Sequence, residues 1–114
     1  MAFDEVFAQR VRDLLAARGG VSERQMFGGI GFMAGGNMCV GVIGDDLIVR
    51  LPAEDGERAL AEQHVREFDY TGRPMRGWVC VSPAGTASDE QLRGWVDDGF
   101  AFASSLPEKQ PKRS

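Results

Sequence analysis

From Phe3 to Arg18 the apolar residues Phe3, Val6, Phe7, Val11, Leu14 and Leu15 recur at steps of three and four, which predicts an amphipathic helix stopped by Gly19-Gly20. Asp4, Arg10 and Arg12 lie opposite this stripe as a solvated face. Beyond Ser22 the period becomes two. Ile30 and Phe32 alternate with Gly31 and Met33, Met38, Val40 and Val42 with Cys39 and Gly41, and Leu47, Val49 and Leu51 with Ile48 and Arg50. The breaks, Ala34 to Asn37 and Gly44 to Asp46, are rich in residues that tolerate the positive φ of tight hairpins. The pattern predicts an antiparallel meander of three strands, with Glu23 to Phe27 as a candidate extension at its start.

Pro52 ends the third strand, and Ala53 to Gln63 reads as a helix anchored by Leu60 and weakened by Gly56. Val65 to Tyr70 alternates as a fourth strand before the turn Thr71 to Pro74. Gly77 to Val81 is a fifth, with Val79 and Val81 on one face and Trp78 and Cys80 on the other. Ser88-Asp89-Glu90-Gln91 fits a capping box, and Leu92, Trp95, Val96, Gly99, Phe102, Ala103 and Leu106 then form one helical stripe, stopped by Pro107. The expected fold is α+β: a single antiparallel β-sheet of about five strands flanked by N-terminal, middle and C-terminal helices. One domain would span 1–106, followed by a flexible C-terminal tail at 107–114.

The 114 residues suffice for one core without metal or disulfide staples. No apolar run approaches the length of a membrane span. Asp4 and Glu5 precede any apolar stretch, the wrong order for a secretory signal, so a cytoplasmic location is expected. In that compartment Cys39 and Cys80 read as buried small hydrophobes. A net charge of -4 disfavours direct nucleic-acid binding, which requires Lys and Arg to neutralise phosphates. The basic cluster Lys109, Lys112 and Arg113 falls in the polar tail.

The stretch Gly29-Ile30-Gly31-Phe32-Met33-Ala34 matches a phosphate-binding glycine pattern on paper. Such a loop must open a helix, whereas here a turn and another strand follow. The glycines are therefore assigned to sheet backbone that bends or packs closely.

The residues Met26-Phe27-Gly28-Gly29 with Ile30-Gly31-Phe32, the turn Gly36-Asn37-Met38, Leu47-Ile48-Val49-Arg50, Gly72-Arg73-Pro74-Met75, and Leu92 with Trp95 together resemble the N-terminal domain of the TfoX (Sxy) family. The likeness covers roughly residues 5 to 106. It implies an antiparallel sheet flanked by helices and membership of a group named after regulators of natural competence. Those longer regulators look like two-domain proteins, of which this chain is similar to the first. The resemblance brings no catalytic constellation and no cofactor.

The leading reading is thus a non-enzymatic regulatory or protein-interaction domain, with a protein partner or self-association through the sheet. If helices cover the Val79 face, Trp78 and Cys80, joined by Ile48 and Ile43, form a candidate interface; a helix over that face is the open alternative. The competing reading is a small enzyme or ligand-binding protein. It would use Cys80 or Cys39 with His64, the single histidine, or an anion site built from Arg24, Arg50, Arg73 and Arg76. Surface pairing with the surplus of acids accounts for the same arginines. The cysteine spacing carries no zinc signature.

Overall fold

The computed structural model describes residues 3–26, 28–69, 72 and 75–107. The first helix, α1 (Glu5–Ala16), begins one residue after Asp4, whose carboxylate accepts from the Phe7 amide at 3.0 Å. Asp4 is therefore an N-cap rather than part of the polar face, because its acceptor satisfies an amide that the first turn leaves orphaned. Gly19 and Gly20 follow at φ 75° and 70°, the left-handed backbone that ends the chain's helical direction.

Six strands follow in the described residues: β1 (Val21–Met26), β2 (Gly29–Ala34), β3 (Asn37–Ile43), β4 (Asp46–Arg50), β5 (Val65–Glu67) and β6 (Trp78–Val81). They form one sheet in the order β1-β2-β3-β4-β6-β5, every neighbouring pair antiparallel. The α+β class stands, with one strand more than the alternation predicts. The candidate extension is a full strand: Val21 pairs with Ala34 and Met26 with Gly29. Its exposed, polar centre from Ser22 to Gln25 hides it from a search for alternating apolar residues.

The short helix α2 (Ala53–Ala59) stops four residues before the expected end. Leu60 is already its C-cap, and His64 adopts φ 71°, which turns the chain into β5. β5 itself ends at Glu67, and Phe68 folds away as a buried side chain. The predicted turn at 71–74 lies outside the described residues except for Gly72, as do Phe27 and the tail at 108–114. The last helix, α3 (Asp89–Ser105), carries the expected capping box: Gln91 N donates to Ser88 Oγ and Ser88 N to Gln91 Oε1, both at 3.0 Å. Its buried residues are Leu92, Val96, Gly99 and Ala103, four of the seven in the predicted stripe.

The helices pack on one face of the sheet. Phe7, Val11 and Leu15 of α1 and Leu92 and Val96 of α3 join Phe32, Val40, Val42, Leu47, Val49, Val79 and Val81 in the main core. Strict alternation breaks in β3. The register shifts between Phe32 and Met33, so Met38 lies with Met33 in a second cluster while Cys39 and Val40 both belong to the main core. A bulge of this kind places two consecutive residues against one and swaps the faces beyond it.

Candidate functional site

The second cluster occupies the helix-free face of the sheet. Met33, Met38, Ile48, Phe68 and Cys80 are buried there, and Met26, Ile43, Met75 and Trp78 are partly buried around them. The face exists because Gly31 and Gly41 lie directly opposite each other on β2 and β3. A Cβ on Gly31 would lie 2.5 Å from the Met26 sulfur, and one on Gly41 would lie 2.4 Å from the Met38 terminal methyl. The two glycines thus leave a trough in the pleat that flexible thioether side chains fill.

Trp78 and Cys80 behave differently within it. Phe68 stacks on Trp78 with ring centroids 6.0 Å apart and planes inclined at 30°. The Arg50 guanidinium sits 5.3 Å from the Trp78 ring centre and 5.7 Å from that of Phe102, so this cation spans the sheet's end between the two faces. Cys80 is buried beside Asp46, whose carboxylate accepts from Arg66 Nη2 at 2.7 Å. Burial first, and the negative charge of Asp46 next, push the Cys80 thiol up to about 11.

The candidate dyads do not assemble. Cys39 lies in the helix-side core and donates its thiol proton to the Phe32 carbonyl at 3.1 Å, and desolvation raises its pKa to about 11. Both cysteines are free and buried, as their composition implies. His64 is exposed, and its carbonyl accepts from Ser82 N at 2.8 Å. Its side chain lines a cleft with Glu90 and Gln91 of α3, on the side of the sheet opposite the Cys80 thiol. A thiol held protonated and facing away from the only imidazole is not set up as a nucleophile.

The arginines also separate. Arg24 is on edge strand β1, Arg50 lies over Trp78, and Arg76 donates to Glu57 of α2 at 2.6 Å. Arg73 lies outside the described residues. Among the described residues, no group of three or more His, Cys, Asp or Glu side chains is placed to hold a metal ion, and no helix is long and apolar enough to cross a membrane.

The Met26 to Gly29 stretch closes the β1-β2 hairpin: Met26 and Gly29 are partners, and Gly28 takes φ 75° in the turn. Gly29 also has no room for a side chain, since a Cβ would lie 2.1 Å from the Val42 carbonyl oxygen. The segment that matched a phosphate loop on paper, Gly29 to Ala34, is β2 itself, and β3 follows it.

A protein-family model described as the TfoX N-terminal domain matches residues 13–103. The chain belongs to the TfoX N-terminal domain family. A comparison with curated proteins found no match. For this TfoX N-terminal domain, Phe68, the β3 bulge and the Asp46–Arg66 pair are the features of the face that sequence reading missed. Phe68 looked like a strand residue, and Asp46 like a turn acid, because their partners are distant in the chain.

Proposed function

We propose that this chain is a non-enzymatic regulatory or protein-interaction domain, acting in the cytoplasm, whose helix-free sheet face engages a protein partner. The observation that carries the reading is the composition of that face. A buried floor of Met33, Met38, Ile48 and Cys80 is ringed by the partly buried Met26, Ile43, Met75 and Trp78, with Arg50 and Arg66 at the margin. An apolar centre with aromatic and methionine contacts and an arginine rim is the usual anatomy of an interface. Methionine suits it because an unbranched thioether repacks at low cost against different shapes.

The sheet edges are less suited to pairing. β1 presents the charged Glu23 and Arg24, and β5 has only three residues. A partner is therefore expected on the face and not along an edge. Self-association through the same face is the simplest form of the reading.

The test is comparative. Sedimentation and partner retention are measured for the chain and for a Trp78→Arg, Met26→Glu variant. Loss of association in the variant supports the reading; a strict monomer whose retained proteins are the same with and without these substitutions overturns it.

A further inference from the structure

On the other side of the sheet, α2 and α3 are each pinned to the backbone beneath them through a glycine. A Cβ on Gly56 of α2 would lie 2.6 Å from Gly77 Cα, and one on Gly99 of α3 would lie 2.5 Å from the Cys39 carbonyl oxygen. The two helices are thereby fixed over different strands, α2 on β6 and α3 on β3 and β4, and a groove stays open between them. It consists of two adjoining clefts of about 490 and 620 Å³ that share Glu62, Trp95 and Asp98.

Ala101 and Phe102 contribute apolar surface to the first cleft, above a floor of the buried Leu51 and Ala59. The charges are one-sided. Arg58 is taken by Asp55, three residues earlier on α2. Glu62, Glu90 and Asp98 have no cation within ion-pair distance among the described residues. Asp98 shows the consequence: burial, followed by Asp97 and Asp55, raises its carboxyl above the ordinary aspartate value. Carboxylates without an ion-pair partner beside a partly buried tryptophan attract an incoming cation.

We propose that the groove between α2 and α3 is a docking site for a basic peptide segment of a protein partner, with a lysine or arginine side chain held between Trp95, Glu62 and Asp98. The apolar surface of Ala101 and Phe102 takes the segment's aliphatic side chains, which selects a peptide over a simple polyamine. This site lies across the sheet from the methionine face and does not depend on it.

The probe is a short fluorescein-labelled peptide of arginine, leucine and alanine, compared with the same peptide carrying glutamate for arginine, by anisotropy against the full chain. Binding of the basic peptide alone, weakening with added salt, is expected. The double variant Glu62→Gln, Asp98→Asn should lose about tenfold in affinity, with circular dichroism unchanged. Met26→Glu, on the opposite face and remote from the groove, should leave the affinity unchanged even if it abolishes self-association.

Three results would overturn the proposal. One is equal binding of the glutamate peptide, or an affinity indifferent to the double variant. Another is displacement of the peptide by spermidine at matched charge concentration. The third is a large gain in affinity when Lys109, Lys112 and Arg113 are replaced by glutamine in the full chain, which would assign the groove to the chain's own basic residues.

Discussion

The two faces of this sheet share every strand and are built from different materials. The helix side is packed with Val40, Val42, Val49, Val79, Val81 and Leu47 under α1 and α3, and α3 touches backbone at Gly99. The other side is floored by glycine and filled by Met26, Met33 and Met38, with Phe68 as its aromatic cover. Branched aliphatic side chains have few rotamers and fit one arrangement. Thioethers have many, so that face can accept change and can adapt to a partner. One side holds the fold rigid; the other is the more deformable.

Substitutions can break or sharpen this contrast. The largest effect is expected from Leu47→Ala, a fully buried helix-side residue. It should cost about 3 kcal/mol in urea unfolding, because close-packed neighbours cannot collapse into the void. A loss below about 1 kcal/mol would mean that the helix side is also plastic.

Next comes a pair of identical changes at two glycines. Gly99→Ala drives a methyl into the Cys39 carbonyl and should cost about 2 kcal/mol. Gly31→Ala meets only the side chains of Met26 and Met38, which can swing aside, so its cost should stay below about 1 kcal/mol. Equal losses at both positions would erase the distinction between the faces.

Thiol labelling reads the same contrast kinetically. Both thiols are raised to about 11, so at neutral pH the thiolate is about 10⁻⁴ of each and native labelling is slow. The rate should climb as pH rises toward that value, and Cys80 should react before Cys39, because only Cys39 lies beneath α3. Cys39 reacting as fast as Cys80 would show that α3 opens as readily as the methionine cover.

The smallest effect is expected from Asp98→Asn. An acid whose folded pKa is raised binds its proton more tightly when folded, so stability is lost as pH climbs from the ordinary aspartate range through the raised value. At neutral pH the amide should therefore stabilise the chain. The gain should be under about 0.5 kcal/mol, since solvent screens so exposed a carboxylate. A destabilised Asp98→Asn would contradict the burial, and the repulsion from Asp97 and Asp55, that raise this carboxyl.

Much of the fold was legible because its signals are short-range. The Ser88 to Gln91 box, the Gly19-Gly20 stop and the opposite facing of Val79 and Cys80 each follow from a few adjacent residues. The candidate sites were legible only in part. Trp78 and Cys80 were correctly placed on the face away from Val79, yet whether a helix covers that face depends on where α2 and α3 land. The proposed His64–Cys80 approach fails because the sheet lies between them, which no spacing of 16 positions along the chain reveals.

By itself, then, the sequence determined the helices, the hairpins and the two-sided character of the strands, since capping, turn geometry and side-chain alternation act over a few bonds. Tertiary structure alone decided the β3 bulge that moves Met38 across the sheet, the methionine filling over Gly31 and Gly41, and the open acidic groove between α2 and α3. Each of these depends on which backbone comes to lie against which, and that is settled by packing the whole chain at once.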